Sequence, residues 1–268
     1  MTAVEFEHSG HVAVVTINRP EARNAVNPEV LVRLAEAWQR VHDDDAIRIA
    51  VLTGAGESAF CSGADLKLLI PLMTGAREPE TEWDRAYVAD PTLSGRALLR
   101  DFDVGKPVIA AVNGFAIAGG FELMLGTDLR VAADGARLGL QEAKWGLFPL
   151  GGATVRLPRA IPQAIAMEIL LTGDLIDARR AHDLGLVNQV VPQEEVMDAA
   201  LFYAETIAAN GPLAVQAIRT SARASSGVTE AVALQRELEL GTPVFQTRDA
   251  REGPRAFAEK RAPRFEGR

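Results

Sequence analysis

Two carboxylates and two glycine-containing turns are the residues here whose types and spacing point to chemistry. Lys106 to Asp128 reads KPVIAAVNGFAIAGGFELMLGTD. The spacing predicts an apolar strand over Pro107–Val112, an Asn113-Gly114 turn and a loop of small residues from Phe115 to Gly120. An apolar helix then starts near Phe121 with Glu122 in its first turn. Glycines ahead of a helix allow close approach to the backbone, and the unbonded N–H groups of a helix start are aimed at whatever sits there. Gly119 and Glu122 are three residues apart, so in a helix starting near Gly119 they share one side. A carboxylate among apolar residues needs a reason, because burying it unpaired is costly. The pattern suits an active site in which N–H groups polarise a substrate oxygen and Glu122 moves protons.

Glu142, in LGLQEAKWGLFPLGG, is a second acid inside an apolar run. Two readings stand side by side: acid/base partner of Glu122, with both pKa values raised by burial, or an ion pair with Lys144 or Arg156 on a solvated loop. The second turn, AFCSGADLK over Ala59–Lys67, also has two readings. The N–H groups of Ala64 and Asp65 would bind an oxyanion and Lys67 would face a phosphate, or Asp65 simply completes a helix start. On the loop alone the helix-start reading is the stronger.

Other chemistries fit poorly. GFAIAGG before a helix resembles a dinucleotide-binding turn, with Glu142 about 20 residues further on. Ala116 would crowd the pyrophosphate, however, and Glu122 would repel it. GAGESAFCSG lacks the Gly-Lys-Ser/Thr ending of a Walker loop, and no serine lies in a G-x-S-x-G elbow. His8, His11, His42 and His182 have no metal-ligand spacing, and no metal is expected. Cys61 reads as a small buried hydrophobe rather than a reactive thiol.

The elements that must position these residues alternate. Val12–Ile17 and Ile47–Thr53 read as strands, and Asn27-Pro28 opens a helix carrying Val30, Leu31, Leu34, Trp38 and Val41. A short helix from Leu66 ends near Pro71. The polar stretch Thr74 to Asp90 reads as a surface excursion or flexible lid, without assigned structure. Leu93–Phe102 is helical, Leu129–Ala132 a strand, and Asp174–Val191 helix, glycine stop, strand. From Gln193 the chain is helices only: Glu194–Ala209, Leu213–Arg223, Val228–Leu240 and a charged one near Asp249–Lys260. The expected class is α/β, with a core containing the active site over 1–192 and a C-terminal helical region over 193–268.

The chain has 268 residues, 48% of them hydrophobic, enough for a sizeable core. Its net charge of -8 argues against a general nucleic-acid surface. No run approaches the about 18 apolar residues of a membrane span, and neither end matches a targeting or lipidation signal. With a single cysteine, the cytoplasm is the expected location.

Six segments together are specific: TINRPEARNAV, AFCSGADLK, KPVIAAVNGFAIAGGFEL, LQEAKWGLFPLGGATVRLPR, GLVNQVVP and EGPRAFAEKRAPRF. In this order and spacing, over nearly the whole chain, the sequence resembles the crotonase (enoyl-CoA hydratase/isomerase) superfamily. The resemblance implies a crotonase-like spiral core of repeated ββα units, a C-terminal helical trimerisation region, and a homotrimer or a hexamer built as a dimer of trimers. It implies an acyl-CoA thioester as substrate, its carbonyl held by an oxyanion hole at the N–H groups of Ala64 and Gly119. The family's two catalytic glutamates fall on Glu122 and Glu142. The coenzyme A groove falls on Ala22, Ala64, Asp65, Leu66 and Lys67, with Phe257 and Lys260 reaching in from a neighbouring subunit. No separate cofactor is implied, coenzyme A being part of the substrate.

Having both glutamates favours hydration of a trans-2-enoyl-CoA to a 3-hydroxyacyl-CoA. As the resemblance implies, Glu122 would take the proton of water and Glu142 would deliver one to the α-carbon. An isomerase or decarboxylase of the same fold, or a carnitinyl-CoA-type dehydratase, is the alternative. A non-catalytic acyl-CoA- or RNA-binding relative would lack a glutamate or show a basic face. Phe121 and the run Trp145-Gly146-Leu147-Phe148 depart from the common short-chain pattern, and Phe121 resembles carnitinyl-CoA dehydratase-like members. The 74–90 segment falls where the acyl pocket varies, so acyl length stays open.

Overall fold

The computed structural model describes residues 2–268. Its strands in chain order are β1 (Val4–Ser9), β2 (Val12–Ile17), β3 (Ile49–Gly54), β4 (Ala59–Cys61), β5 (Val108–Val112), β6 (Phe115–Ile117), β7 (Leu129–Ala133), β8 (Arg137–Gly139), β9 (Ile176–Asp177) and β10 (Gln189–Val191). They form two sheets, one in the order β1-β2-β3-β5-β7-β10 and one in the order β4-β6-β8-β9. Three times over, a strand of the large sheet is followed by a strand of the small one: β3 then β4, β5 then β6, β7 then β8. That alternation is the ββα spiral the sequence implies. All pairings are parallel except β1 with β2 and β8 with β9.

Every residue of β3 and β5 is buried. A parallel strand covered on both faces reads as a continuous apolar run, which is how IAVLTG and VIAAV read. On one side lies the helix Pro28–Asp43, whose Val30, Leu31, Leu34, Trp38 and Val41 are buried as the spacing predicts. Asn27 caps it by accepting the N–H of Val30 at 2.9 Å. The helix Val196–Ala208 presents Val196, Ala200, Ala204 and Ala208 to the same core. Alanine every fourth residue lets the helix approach the sheet closely. This first helix beyond Gln193 thus belongs to the core packing. The later ones, Pro212–Ala224, Glu230–Gly241 and Asp249–Ala258, bury few residues.

Four local expectations are corrected. The edge strand β1 is absent from the sequence reading because only Val4 of its six residues is buried, leaving almost no apolar signal. Phe115–Gly120 is not a loop: Phe115–Ile117 is β6, paired with β4 and β8, and three residues are too few to show a period. The short helix near Leu66 is Ile70–Met73, with Pro71 inside its first turn, where a missing N–H costs nothing. The excursion Thr74–Asp90 contains a helix, Glu82–Ala89, closed by a capping box between Thr81 and Asp84. Among the described residues no helix is long and apolar enough to cross a membrane.

Candidate active site

Glu122 sits in the first turn of the helix Gly119–Gly126, which follows β6 directly. The reversal from strand to helix happens at Ala118, whose φ is +53°, a left-handed conformation that costs a non-glycine residue about 1–3 kcal/mol and collects at functional sites. Two glycines make the approach possible. A Cβ on Gly120 would lie 2.1 Å from the Cys61 carbonyl oxygen, so the helix start rests on β4 with no room for a side chain. Gly63 has φ +90°, and a Cβ there would meet that of Ala118 at 2.8 Å and the Gly119 nitrogen at 3.2 Å. The turn after β4 and the turn after β6 therefore touch, bringing Ala64 and Gly119 together from 55 residues apart. Among the described residues, neither N–H donates to another protein group.

Glu122 is 3% exposed and points at the next helix, Ala153–Ala160. Its Oε1 accepts the N–H of Ala153 at 3.0 Å. Gly151 forms the facing wall; a Cβ there would be 2.7 Å from Oε2. Gly151 must therefore be bare for the carboxylate to fit. Burial raises the Glu122 pKa, while the N–H groups of Ala153 and Gly151, and then the charges of Arg156 and Arg100, pull it back.

Glu142 opens the 3-10 turn Glu142–Trp145 and is 9% exposed. Its Oε2 is buried and has no hydrogen-bond partner. Burial pushes its pKa up to about 7, and the like charge of Glu122 adds to this. The solvated ion-pair reading of Glu142 fails. Lys144 pairs with Asp174 at 2.7 Å instead, and Arg156 donates to the Leu99 carbonyl. Two buried carboxylates that sense each other, beside two unused N–H groups, can transfer protons to and from a molecule whose oxygen the N–H groups hold.

Of the remaining predicted residues, Ala22 to Lys67 converge. Ala22 ends the 3-10 turn Pro20–Ala22, and its neighbours bind the Ala64 loop: Ser62 N–H donates to Arg23 at 3.1 Å and Val26 N–H to Gly63 at 2.8 Å. Leu66 and Lys67 are exposed on that rim. The Asp65 side chain is occupied, accepting the N–H groups of Lys67 at 2.9 Å and Leu68 at 3.0 Å and the Arg19 guanidinium at 3.0 Å. Its helix-start reading holds for the side chain, alongside a place in the loop. Phe257, 87% exposed, and Lys260 lie at the end of the helix Asp249–Ala258. No described hydrogen bond or ion pair of that helix reaches Ala22, Ala64 or Glu122 within the chain.

The sequence reading missed Arg19, Gly63 and Gly151 as parts of this site. Arg19 stands inside TINRPEARNAV with no local signal that its partner is 46 residues away. Cys61 is buried and its thiol is pushed up to about 12, an inert group. A cavity of about 790 Å³ in the C-terminal segment, lined by arginines such as Arg248 and Arg264 together with Asp249, Glu252 and Glu266, contains neither Glu122 nor Glu142. Among the described residues no group of three or more His, Cys, Asp or Glu is arranged to hold a metal.

The family model for enoyl-CoA hydratase/isomerase matches residues 7–268. The chain belongs to that family. An enoyl-CoA hydratase of Mycobacterium tuberculosis is 47% identical over 98% of this chain and 96% of its own length. An (E)-benzylidenesuccinyl-CoA hydratase of Thauera aromatica is 43% identical over 98% and 99%. A carnitinyl-CoA dehydratase of Proteus mirabilis is 41% identical over 97% and 96%. Among solved structures, an enoyl-CoA hydratase from Mycobacterium marinum superposes with a TM-score of 0.89 at 41% identity, covering all of both chains. The fold is the one this family's solved structures share.

Proposed function

We propose that this protein is an enoyl-CoA hydratase, a hydro-lyase adding water across the double bond of a trans-2-enoyl-CoA to give a 3-hydroxyacyl-CoA. The observation that carries the reading is the pair of buried carboxylates, Glu122 held by an N–H and Glu142 with a free, buried oxygen. The thioester carbonyl accepts from Ala64 and Gly119 N–H, so enolate charge developing on its oxygen is stabilised by roughly 3–4 kcal/mol per donor. Water lies between the glutamates. Glu122, ionised, takes its proton as the oxygen attacks the β-carbon, and Glu142, protonated, delivers a proton to the α-carbon. Run backwards, the same groups dehydrate a 3-hydroxyacyl-CoA. The pantetheine and nucleotide run along Ala22 and Ala64–Lys67, and Lys67 supplies positive charge on an otherwise acidic protein.

No cofactor enters this reading beyond the coenzyme A of the substrate, because the reaction needs only two proton-transfer groups and polarised carbonyl. We further propose a homotrimer or hexamer, supported by exposed Ile218, Leu238, Phe245 and Phe257 on the C-terminal helices. In that assembly Phe257 and Lys260 reach a neighbour's nucleotide groove. A cytoplasmic location is supported by the single buried cysteine.

The test is hydration in 18O-labelled water. Crotonyl-CoA and longer or carboxylated enoyl-CoAs are expected to lose their conjugated absorbance and gain one labelled oxygen. A product without the label would replace hydration by isomerisation or decarboxylation, and tight binding with no turnover across the panel would leave only an acyl-CoA-binding protein.

A further inference from the structure

The Ala64 turn is held from two directions, and only one of them lies in the groove. On the inner side, Asp65 closes the turn on itself and on Arg19. On the outer side the Leu68 carbonyl accepts from Arg77 Nη2 at 2.7 Å. Arg77 is gripped in turn by both oxygens of Asp84, at 2.8 and 3.0 Å. Asp84 cannot yield. Its side chain is 4% exposed, its Oδ2 also accepts the N–H groups of Glu80 and Thr81 at 3.0 Å, and its own N–H donates to Thr81 Oγ1 at 3.0 Å. The helix it caps, Glu82–Ala89, packs on Pro28–Asp43, where the Arg33 guanidinium lies 4.8 Å over the Trp83 ring. Pro28–Asp43 itself follows Val26, the residue that bridges to Ala64. The outer tether is therefore one end of a closed circuit that begins and ends at the Ala64 turn.

A bidentate, nearly buried ion pair is unexpected in an excursion that could have been stabilised by apolar packing, since burying a charge pair gains little net stability over well-packed hydrophobes. What the pair does that apolar residues would not is present a directed N–H to Leu68. A planar guanidinium can hold a carboxylate with one N–H from each terminal nitrogen while the second N–H of Nη2 meets a carbonyl; an ammonium holds neither geometry as firmly.

We propose that Arg77 and Asp84 are positioning residues for hydration: they fix the Leu66–Leu69 turn from outside and thereby the placement of the Ala64 N–H. The proposal rests on the reading of Ala64 as an oxyanion donor. Displacing such a donor by even an ångström is costly, because its work is done at the transition state. Neither side chain bonds to Ala64, Gly119, Glu122 or Glu142.

The experiment compares wild type with R77A, R77K, D84N and, as a control on the same excursion, E80A, whose side chain reaches Arg77 only at 3.9 Å. Hydration of crotonyl-CoA is followed together with amide hydrogen exchange. R77A is expected to lower kcat by about tenfold or more with KM changed less than about threefold, and to speed exchange at Lys67–Ile70 while Val108–Val112 stay protected. R77K recovers part of the loss, D84N behaves like a milder R77A, and E80A matches wild type. A folded R77A with kcat within twofold of wild type and unchanged exchange at Lys67–Ile70 overturns the proposal. If R77A does not fold, R77K and D84N are judged by the same two readouts. If wild type hydrates no enoyl-CoA of the panel, the functional reading falls, and exchange at Lys67–Ile70 still decides whether the tether fixes the turn.

Discussion

Glu122 and Glu142 are the same side chain in two different settings. Glu122 rides on a helix inside the core, with an N–H donor on one oxygen and the bare wall of Gly151 against the other. Glu142 stands at the head of a four-residue turn that runs straight into exposed Trp145, Phe148 and Leu150, with one oxygen buried and unpartnered. Burial raises both pKa values; Glu142 is pulled back only by its own backbone N–H, whereas Glu122 has the N–H groups of Ala153 and Gly151 and the charges of Arg156 and Arg100 favouring its ionised form. The difference in surroundings, not in charge type, divides them into base and acid.

The sharpest break removes the titrating groups. Glu122→Gln and Glu142→Gln are each expected to lower kcat for crotonyl-CoA hydration by about 10²–10⁴-fold, with coenzyme A affinity retained by calorimetry. Wild-type turnover in either variant would dissolve the division of labour. Crowding only one setting comes next. Gly151→Ala places a methyl 2.7 Å from Glu122 Oε2, so it should displace that carboxylate and cost about 1–3 kcal/mol of stability. Its kcat should fall about ten- to a hundredfold, while the alkaline limb set by Glu142 stays where it was. If that limb moves instead, the two settings are one coupled unit.

The smallest effect is on stability and it sharpens the comparison by sign. With its folded pKa raised to about 7 from 4.5, Glu142 holds its proton more firmly folded than unfolded. Its contribution is fully present below pH 4.5 and is lost as pH rises through about 7. Glu142→Gln, which does not ionise, should therefore melt above wild type at pH 8 by an amount on the order of 1–3 kcal/mol and lose that advantage by pH 4. The rate profile follows the same group: hydration falls as pH rises through about 7, when the acid has lost its proton. An advantage for the glutamine variant that is equal at both pH values would show that packing, rather than a raised pKa, distinguishes Glu142.

The site was more legible than its supports. Glu122 and Glu142 stand out in sequence because an acid inside an apolar run is anomalous wherever the chain folds, and GFAIAGG and FCSGAD announce turns by composition. The capped helix from Asn27-Pro28 and the buried strands β3 and β5 are equally local signals. Arg77 and Asp84 could not be read this way. In a polar stretch with glycine and prolines every charge looks solvated, and only the folded chain shows Asp84 beneath the surface, gripping Arg77. Whether Glu142 was an acid or half of a surface ion pair was likewise undecidable until Lys144 was seen on Asp174.

By itself, then, the sequence determined which residues are chemically out of place and which strongly patterned segments are strand or helix, such as β3, β5 and Pro28–Asp43, because those depend on neighbours within a few positions. Tertiary structure alone decided that the turns at Gly63 and Gly119 touch, that Gly151 must be bare, and that the two carboxylates sense each other. Those facts depend on which parts of the chain pack together, and approach within a few ångströms leaves no mark on residues dozens of positions apart.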